Sequence, residues 1–437
     1  MIVNKAQETS SDANCSRRDF VKATAVVAGG AIPLSVVATS AYGAGSDQLK
    51  AGLIGCGGRG TGAAFDILKA SDQVRLVALA DIFHDRLDGC RTNLLSEKHA
   101  NRDQVQLTDD RCYVGFDAYK QLIAGDVDIV LLATPPHFRP IHFEAAINAG
   151  KHVFMEKPVA VDPTGIRSVI ESAAQADGKN LTVVAGTQRR HEARYLALMQ
   201  RIHGGEIGDI ISARCYWNQG GLWVKEQQPA WSDMEWQIRN WLYFTWLSGD
   251  HIVEQHVHNL DVCNWAIGSH PVKCAGMGGR EVRTAPKFGH IFDHFAIEYE
   301  YPNGVVMHSY CRQIDGCTGQ VAEAIHGSAG RTWSDSDRIE ILGQRSWRFD
   351  ATNPNPYVVE HKDLIASITD DGPHLNEAKR VAESTLTAIM GRMSAYTGQE
   401  ITWDQALNSQ LDLSPPAYEF GSLPTPEVAV PGKTPLI

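Results

Sequence analysis

The sequence predicts an α/β protein in two parts. The first is an N-terminal Rossmann domain with a doubly wound parallel sheet; the second is a C-terminal α+β domain with an open, mostly antiparallel sheet. Three observations predict it. A glycine-rich turn, Gly55-Cys56-Gly57-Gly58-Arg59-Gly60, follows a short apolar strand and opens a helix. Apolar strands and helical stretches then alternate as far as residue 180. Beyond it, strand-like runs recur without alternating helices.

Each element has its own local reason. Residues 49–55 read as a buried strand ending in the turn, and a helix follows over 60–70. A second apolar run over 74–79 ends at Asp81, which completes a βαβ unit. A helix is expected over 83–97. Residues 126–135 form a strand that stops at Pro135-Pro136. The helix over 142–149 is closed by Gly150, a residue suited to the left-handed end of a helix. The strand over 152–156 ends at Glu156, and one more over 181–185 leads to a helix over 191–203. The second sheet is expected from residues 210–217, 294–301 and 304–312, with a long helix over 377–397. A proline-rich tail from Ser414 drapes over the surface. The expected division is 1–45, 46–180, 181–400 and a tail over 401–437.

The chain has 437 residues, 43% hydrophobic and 21% charged, enough for a well-buried core. Its net charge of -11 argues against a nucleic-acid partner. It leaves room for small anions held by helix N-termini and single cations. The leader reads Ser16-Arg17-Arg18-Asp19-Phe20-Val21-Lys22, then a weakly apolar, small-residue stretch over 23–41. It is similar to a twin-arginine export signal, with a cleavage site near residues 41–44. Gly29, Gly30 and Pro33 break the apolar run, which is short for a stable membrane span. Export to the periplasm is therefore expected, with a membrane tether if the signal stays uncleaved, and no stable span after cleavage. The nine cysteines include no CxxC pair, although Cys311 and Cys317 could pair in an oxidising compartment.

Four motifs carry chemistry. In Gly55-x-Gly57-x-x-Gly60 the first glycine permits the turn, the second lets backbone approach a pyrophosphate, and the third lets helix and strand pack closely. Asp81 ends the next strand, where an acid binds both ribose hydroxyls and disfavours an extra phosphate, so NAD is expected over NADP. Thr134-Pro135-Pro136-x-x-x-Pro140 sits at the sheet edge where such folds bind ligands, and the cofactor set extends to Arg59, Arg86, Thr134, Pro135, His137 and Gln188. Glu156-Lys157-Pro158 lies at another strand end. A lysine beside a nicotinamide stabilises the alkoxide that develops at a carbinol oxygen, and Glu156 positions that lysine or the ribose. In the segment 249–261, Glu254, His258 and Asp261 recur at helical spacing and share a face. A histidine there can take the hydroxyl proton, with Glu254 one turn earlier to orient it. His251, Glu254 and His258 could also converge on one metal ion. Their span of two turns sets that reading aside, and no metal is expected.

Taken together, the turn at 55–60, Asp81, Glu156-Lys157-Pro158 and Glu254-x-x-x-His258-x-x-Asp261 resemble the Gfo/Idh/MocA oxidoreductase family over roughly residues 48–400. The resemblance implies a Rossmann domain followed by an α/β domain with an open sheet, and catalytic roles for Lys157 and His258. The family acid before the histidine is usually aspartate; here it is Glu254, one methylene longer. Relatives contact cofactor or substrate in the stretch matching Gln188-Arg189-Arg190-His191, which implies substrate contacts at Arg189 and His191, joined by Trp241 and Asp261. The aromatic cluster Trp217, Trp223, Trp241 and Trp246 suits a sugar face. The expected activity is hydride transfer at a sugar, glycoside or polyol hydroxyl with retained cofactor, in a homodimer or homotetramer by analogy. A redox-neutral NAD-dependent glycosidase, which oxidises, eliminates, adds water and reduces, is the alternative. A non-catalytic sugar- or cofactor-binding protein is the alternative from another class.

Overall fold

The computed structural model describes residues 48–96 and 101–437; the expected leader lies outside them. Six parallel strands form the first sheet: β1 (Leu49–Ile54), β2 (Val74–Asp81), β3 (Cys112–Val114), β4 (Ile129–Leu132), β5 (His152–Met155) and β6 (Val183–Ala185). Their order is β3-β2-β1-β4-β5-β6, so the winding reverses between β1 and β4. Ligands bind in the crevice at such a switch point. Leu53, Ile129, Val130 and Leu131 are wholly buried, as strands covered by helices on both faces require. The first sheet draws its last strand from beyond residue 180. The crossover to it is the helix Pro163–Gly178, which the sequence reading passed over and which Asp162 caps through Gly165 N at 2.7 Å.

The second sheet holds β7 (Ile210–Gln219), β8 (Lys273–Gly279), β9 (His294–Glu300), β10 (Val306–Gln313), β11 (Gln320–Gly327), β12 (Gly330–Ser334), β13 (Ile339–Gly343), β14 (Trp347–Arg348) and β15 (Ile401–Thr402). Its order is β14-β13-β12-β11-β7-β10-β9-β8-β15, antiparallel throughout except for the central β7/β10 pair. Helices Val257–Ile267 and Ala378–Thr397 pack on this sheet, while Met277 and Tyr310 are exposed. Both sheets belong to one compact unit, Asp47–Ile437.

The chain returns to the first sheet late. The helix Pro356–Ile368 packs on the helix Gly58–Ala70, and buried Arg392 donates to Val161 O at 2.8 Å and Gly249 O at 2.9 Å. That guanidinium ties the strand-end region after β5 to the segment carrying the candidate catalytic histidine. Cys311 is buried and Cys317 exposed, and both are free thiols.

Candidate active site

The glycine turn is built by close approach on one side and openness on the other. Gly55 has φ +100°, a left-handed-region value that favours glycine, and a Cβ there would stand 2.6 Å from Thr134 N. A Cβ on Gly60 would stand 1.8 Å from Gly55 O. At Gly57 and Gly58 a Cβ would meet nothing within 4 Å. The helix Gly58–Ala70 starts without a side-chain cap, so its first N–H groups face the same open side. An open, glycine-surfaced helix N-terminus fits a pyrophosphate. Gly57→Ala is therefore expected to leave the melting temperature unchanged while weakening NAD binding, read by titration. Gly60→Ala is expected to destabilise the fold by about 3 kcal/mol or more, because backbone atoms must move.

A cleft of about 380 Å³ runs from this turn past Asp81, Phe83, Arg86, Phe116, Thr134 and Pro135. Asp81 accepts from Cys56 N at 2.6 Å and Phe83 N at 2.8 Å, one bond on each oxygen. Each oxygen keeps a lone pair for a ribose hydroxyl. Burial pushes its carboxyl up from the usual range, and the two amide donors pull it back.

The ends of β4 and β5 are joined by a residue that sequence reasoning missed. Buried Arg139 donates from Nε to Glu156 O and from Nη1 to Thr134 O at 2.5 Å. Burial lowers its pKa to about 10, so it stays cationic. Glu156 does not hold Lys157: its Oε1 lies 2.9 Å from Arg59 Nε, and Arg59 also bonds Asp66 at 2.9 Å. Arg59 thus ties the dinucleotide turn to the strand end. His137 is buried, bonded to Tyr418 Oη at 2.8 Å, and kept neutral by burial, which lowers its pKa to about 4.

Glu254 and His258 do not share a helix face. The helix His251–Glu254 ends at Gln255, a second helix runs Val257–Ile267, and His256 N reaches back to His251 O at 3.2 Å across the break. Glu254 turns instead to Lys157. The Lys157 ammonium donates to Glu254 O at 2.6 Å and to Glu254 Oε1 at 3.1 Å. An ammonium has three donors, so one remains for a substrate oxygen. The His258 imidazole makes no hydrogen bond among the described residues; it lies against Trp217, with centroids 5.8 Å apart and planes at 18°. Trp217 Nε1 is anchored on Gln219 Oε1 at 2.9 Å. Burial, then the charges of Lys157 and Arg189, hold His258 well below the usual histidine range. Those two cations are balanced by Glu254 and Glu323. His251 is bonded to Asp250 at 3.0 Å, and His256 to Ser309 at 2.8 Å.

Three expected substrate contacts are engaged inside the protein. Arg189 pairs with buried Glu323, which also accepts from Tyr195 Oη at 3.1 Å and Ser334 Oγ at 2.7 Å. Asp261 grips Arg190 with both oxygens, at 2.8 and 2.9 Å, and accepts from Ser384 Oγ at 2.7 Å. His191 lies 2.6 Å from Asp363 and 3.5 Å from Glu377. The neighbouring Gln188 Oε1 is buried without a hydrogen-bond partner among the described residues. Burial alone would lower His191, but its two carboxylates outweigh burial and raise it to about 9. A raised cationic pKa stabilises the fold below the unfolded value and loses that stabilisation through the folded one. The melting-temperature gap between wild type and His191→Gln is therefore expected to be widest near pH 6 and to close by about pH 9. Trp241 lies elsewhere, on the far wall of the cofactor cleft with Trp223, Lys225, Ile238 and Arg239.

Comparison with known proteins agrees with this geometry. The profile described as "Oxidoreductase family, NAD-binding Rossmann fold" of GFO_IDH_MocA matches residues 49–184, and the GFO/IDH/MocA C-terminal domain profile matches residues 195–346. An inositol 2-dehydrogenase of Ralstonia nicotianae is 29% identical over 59% of this chain and 65% of that protein. The 2,7-anhydro-N-acetylneuraminate hydratase of Escherichia coli K12 is 29% identical over 41% of this chain and 44% of that protein. The chain thus spans from under half to just under two thirds of the length of these curated relatives. The structure of scyllo-inositol dehydrogenase from Lactobacillus casei, with bound NAD(H) and scyllo-inositol, superposes with a TM-score of 0.62 at 18% identity, covering 82% of this chain and 99% of that one. Two consecutive domain profiles, the switch-point glycine turn and the Lys157–Glu254 contact make this chain a member of the Gfo/Idh/MocA oxidoreductase family, with an NAD-binding Rossmann fold over residues 49–184.

Proposed function

We propose that this protein oxidises or reduces a hydroxyl-bearing carbon of a sugar, glycoside or polyol, with NAD retained between turnovers. The observation that carries the reading is the gathering of Lys157, Glu254 and His258 from two distant parts of the chain into one buried site. When bound, the nicotinamide supplies the hydride acceptor or donor. The free N–H of Lys157 stabilises negative charge on the substrate oxygen. His258, neutral because burial and two cations lower its pKa, takes the hydroxyl proton in oxidation and returns it in reduction. Glu254 holds Lys157 in place through both its carbonyl and its carboxylate, replacing the role expected of it toward His258. The named activity of the Ralstonia relative supports a polyol substrate. The leader at 16–41 supports export by the twin-arginine route to the periplasm, and the exposed Met277 and Tyr310 support a homo-oligomer.

The test is a survey with NAD of inositols, aldoses, anhydrosugars and nitrophenyl glycosides. It follows NADH absorbance, hydride exchange from deuterated substrate, and nitrophenol release. Hydride exchange, or NADH formed up to about one equivalent per protein, supports the reading; NADH accumulating over many turnovers would keep the oxidoreductase and end the retention. Binding of NAD without exchange on any substrate would leave a non-catalytic binding protein. Nitrophenol release without net NADH would select the redox-neutral glycosidase, a reading favoured by a relative named as a hydratase. For oxidation, the acid limb of kcat/KM is expected below the ordinary histidine range, so activity should hold level from pH 8 down to about 6.5. A fall centred on that ordinary value would remove His258 as the base.

A further inference from the structure

We infer that residues 220–246 supply the second wall of the dinucleotide site and that residues 412–423 brace that wall against the rim of the first sheet, which makes the cofactor a resident group. The inference rests on the proposed nicotinamide chemistry and deepens it. The cleft that begins at Gly55, Gly57 and Asp81 has a second wall of Trp223, Lys225, Ile238, Arg239 and Trp241. Trp223 and Trp241 meet edge to face at 6.2 Å, an aromatic surface of the kind on which a purine stacks.

The wall is locked to the rim of the first sheet. Arg239 donates to both oxygens of Asp85, at 2.9 and 3.1 Å, and its guanidinium carbon lies 3.8 Å from the centroid of the Phe83 ring. The tail then spans from the rim to the wall. On the rim, Tyr418 Oη meets His137 Nε2 at 2.8 Å, and Phe420 stacks on Phe83 at 5.9 Å and leans on Phe116 at 5.1 Å. On the wall, Met234 N donates to Gly421 O at 3.1 Å and Gln237 Nε2 to Leu423 O at 2.6 Å. Asp233 Oδ2 accepts from Ser422 Oγ at 3.1 Å and Leu423 N at 3.2 Å. Phe83 and Phe116 themselves line the cleft. A dinucleotide seated between rim and wall leaves only when the Arg239 fork and the tail contacts part together.

Residence constrains the reaction. A carbinol oxidised to a carbonyl yields a hydride and a proton. With the cofactor held, that hydride must pass back to a carbonyl before the next cycle. The acceptor is either a second sugar or the oxidised sugar itself after elimination and addition at neighbouring carbons. Net accumulation of free NADH is then not expected.

The experiment uses the full chain, Tyr418→Ala/Phe420→Ala, Arg239→Ala, and Tyr418→Phe as the conservative variant. Each is loaded with NAD and desalted; its bound NAD(H) is then measured after denaturation. Release is timed during a chase with excess 3-acetylpyridine adenine dinucleotide. Wild type is expected to keep its NAD through desalting. The double variant and Arg239→Ala should release it about tenfold faster or more, at wild-type melting temperature. Should Ala variants fail to fold, Tyr418→Phe must still release faster than wild type, because it loses the His137 bond. Equal, rapid exchange in wild type and all variants would overturn the latch while leaving the NAD site standing. Absence of NAD binding by wild type at millimolar cofactor would overturn the proposed function itself, and the latch with it.

Discussion

Lys157→Ala is expected to lower kcat by about 10²–10³-fold, the usual loss when one preorganised donor to a developing oxyanion is removed. The ammonium has two of its donors on Glu254 and one to spare, so its position is set before substrate arrives. Alanine removes the charge and leaves a Glu254 carboxylate, only 13% exposed, without its cation. A modest fall in stability should accompany the kinetic loss and is measured separately by melting. NAD affinity should stay near wild type, because the turn and Asp81 do not touch Lys157. Lys157→Arg should rescue the charge balance but little of the rate, since a planar fork does not reproduce a compact ammonium. Near-normal turnover in Lys157→Ala with NAD bound would end the proposed role.

Asp261→Ala is expected to act on the fold and not on substrate affinity. The carboxylate side chain is 2% exposed and its partner Arg190 12% exposed, so the pair is buried. Removing one partner of such a pair leaves an uncompensated charge and costs about 3–5 kcal/mol. Ser384 Oγ loses its acceptor as well. Urea melts should show a lower midpoint, and Asp261→Asn should fall between wild type and alanine. A normal midpoint with a raised KM would restore Asp261 to the substrate contacts.

The Rossmann sheet was legible because its signals are local: a glycine spacing, apolar strands and helix stops. Lys157 and His258 stood out as candidates for a related reason, and the fold brings them into one site. One sits at a strand end and the other in a dense polar segment, and each residue type suits one task. What failed was spacing used as geometry. Glu254 and His258 are four apart, yet no glycine or proline marks the break at Gln255 that places them on separate helices. Arg189, His191 and Asp261 looked free for substrate because their partners, Glu323, Asp363 and Arg190, are brought to them only by folding. Arg139 left no signal at all, and Trp217 was legible only as one of an aromatic cluster: a buried arginine bracing two strand ends and an indole facing a histidine are products of tertiary packing.

The tail that joins rim to wall also bears on when the protein can be assembled. During synthesis, the glycine turn, Asp81 and the wall at 220–246 leave the ribosome well before residues 412–423. A nascent chain therefore passes through a stage at which the residues of its dinucleotide groove are made and the tail that braces them is not. On the proposed latch, finished protein should take up NAD more slowly than the variants that lack the tail contacts.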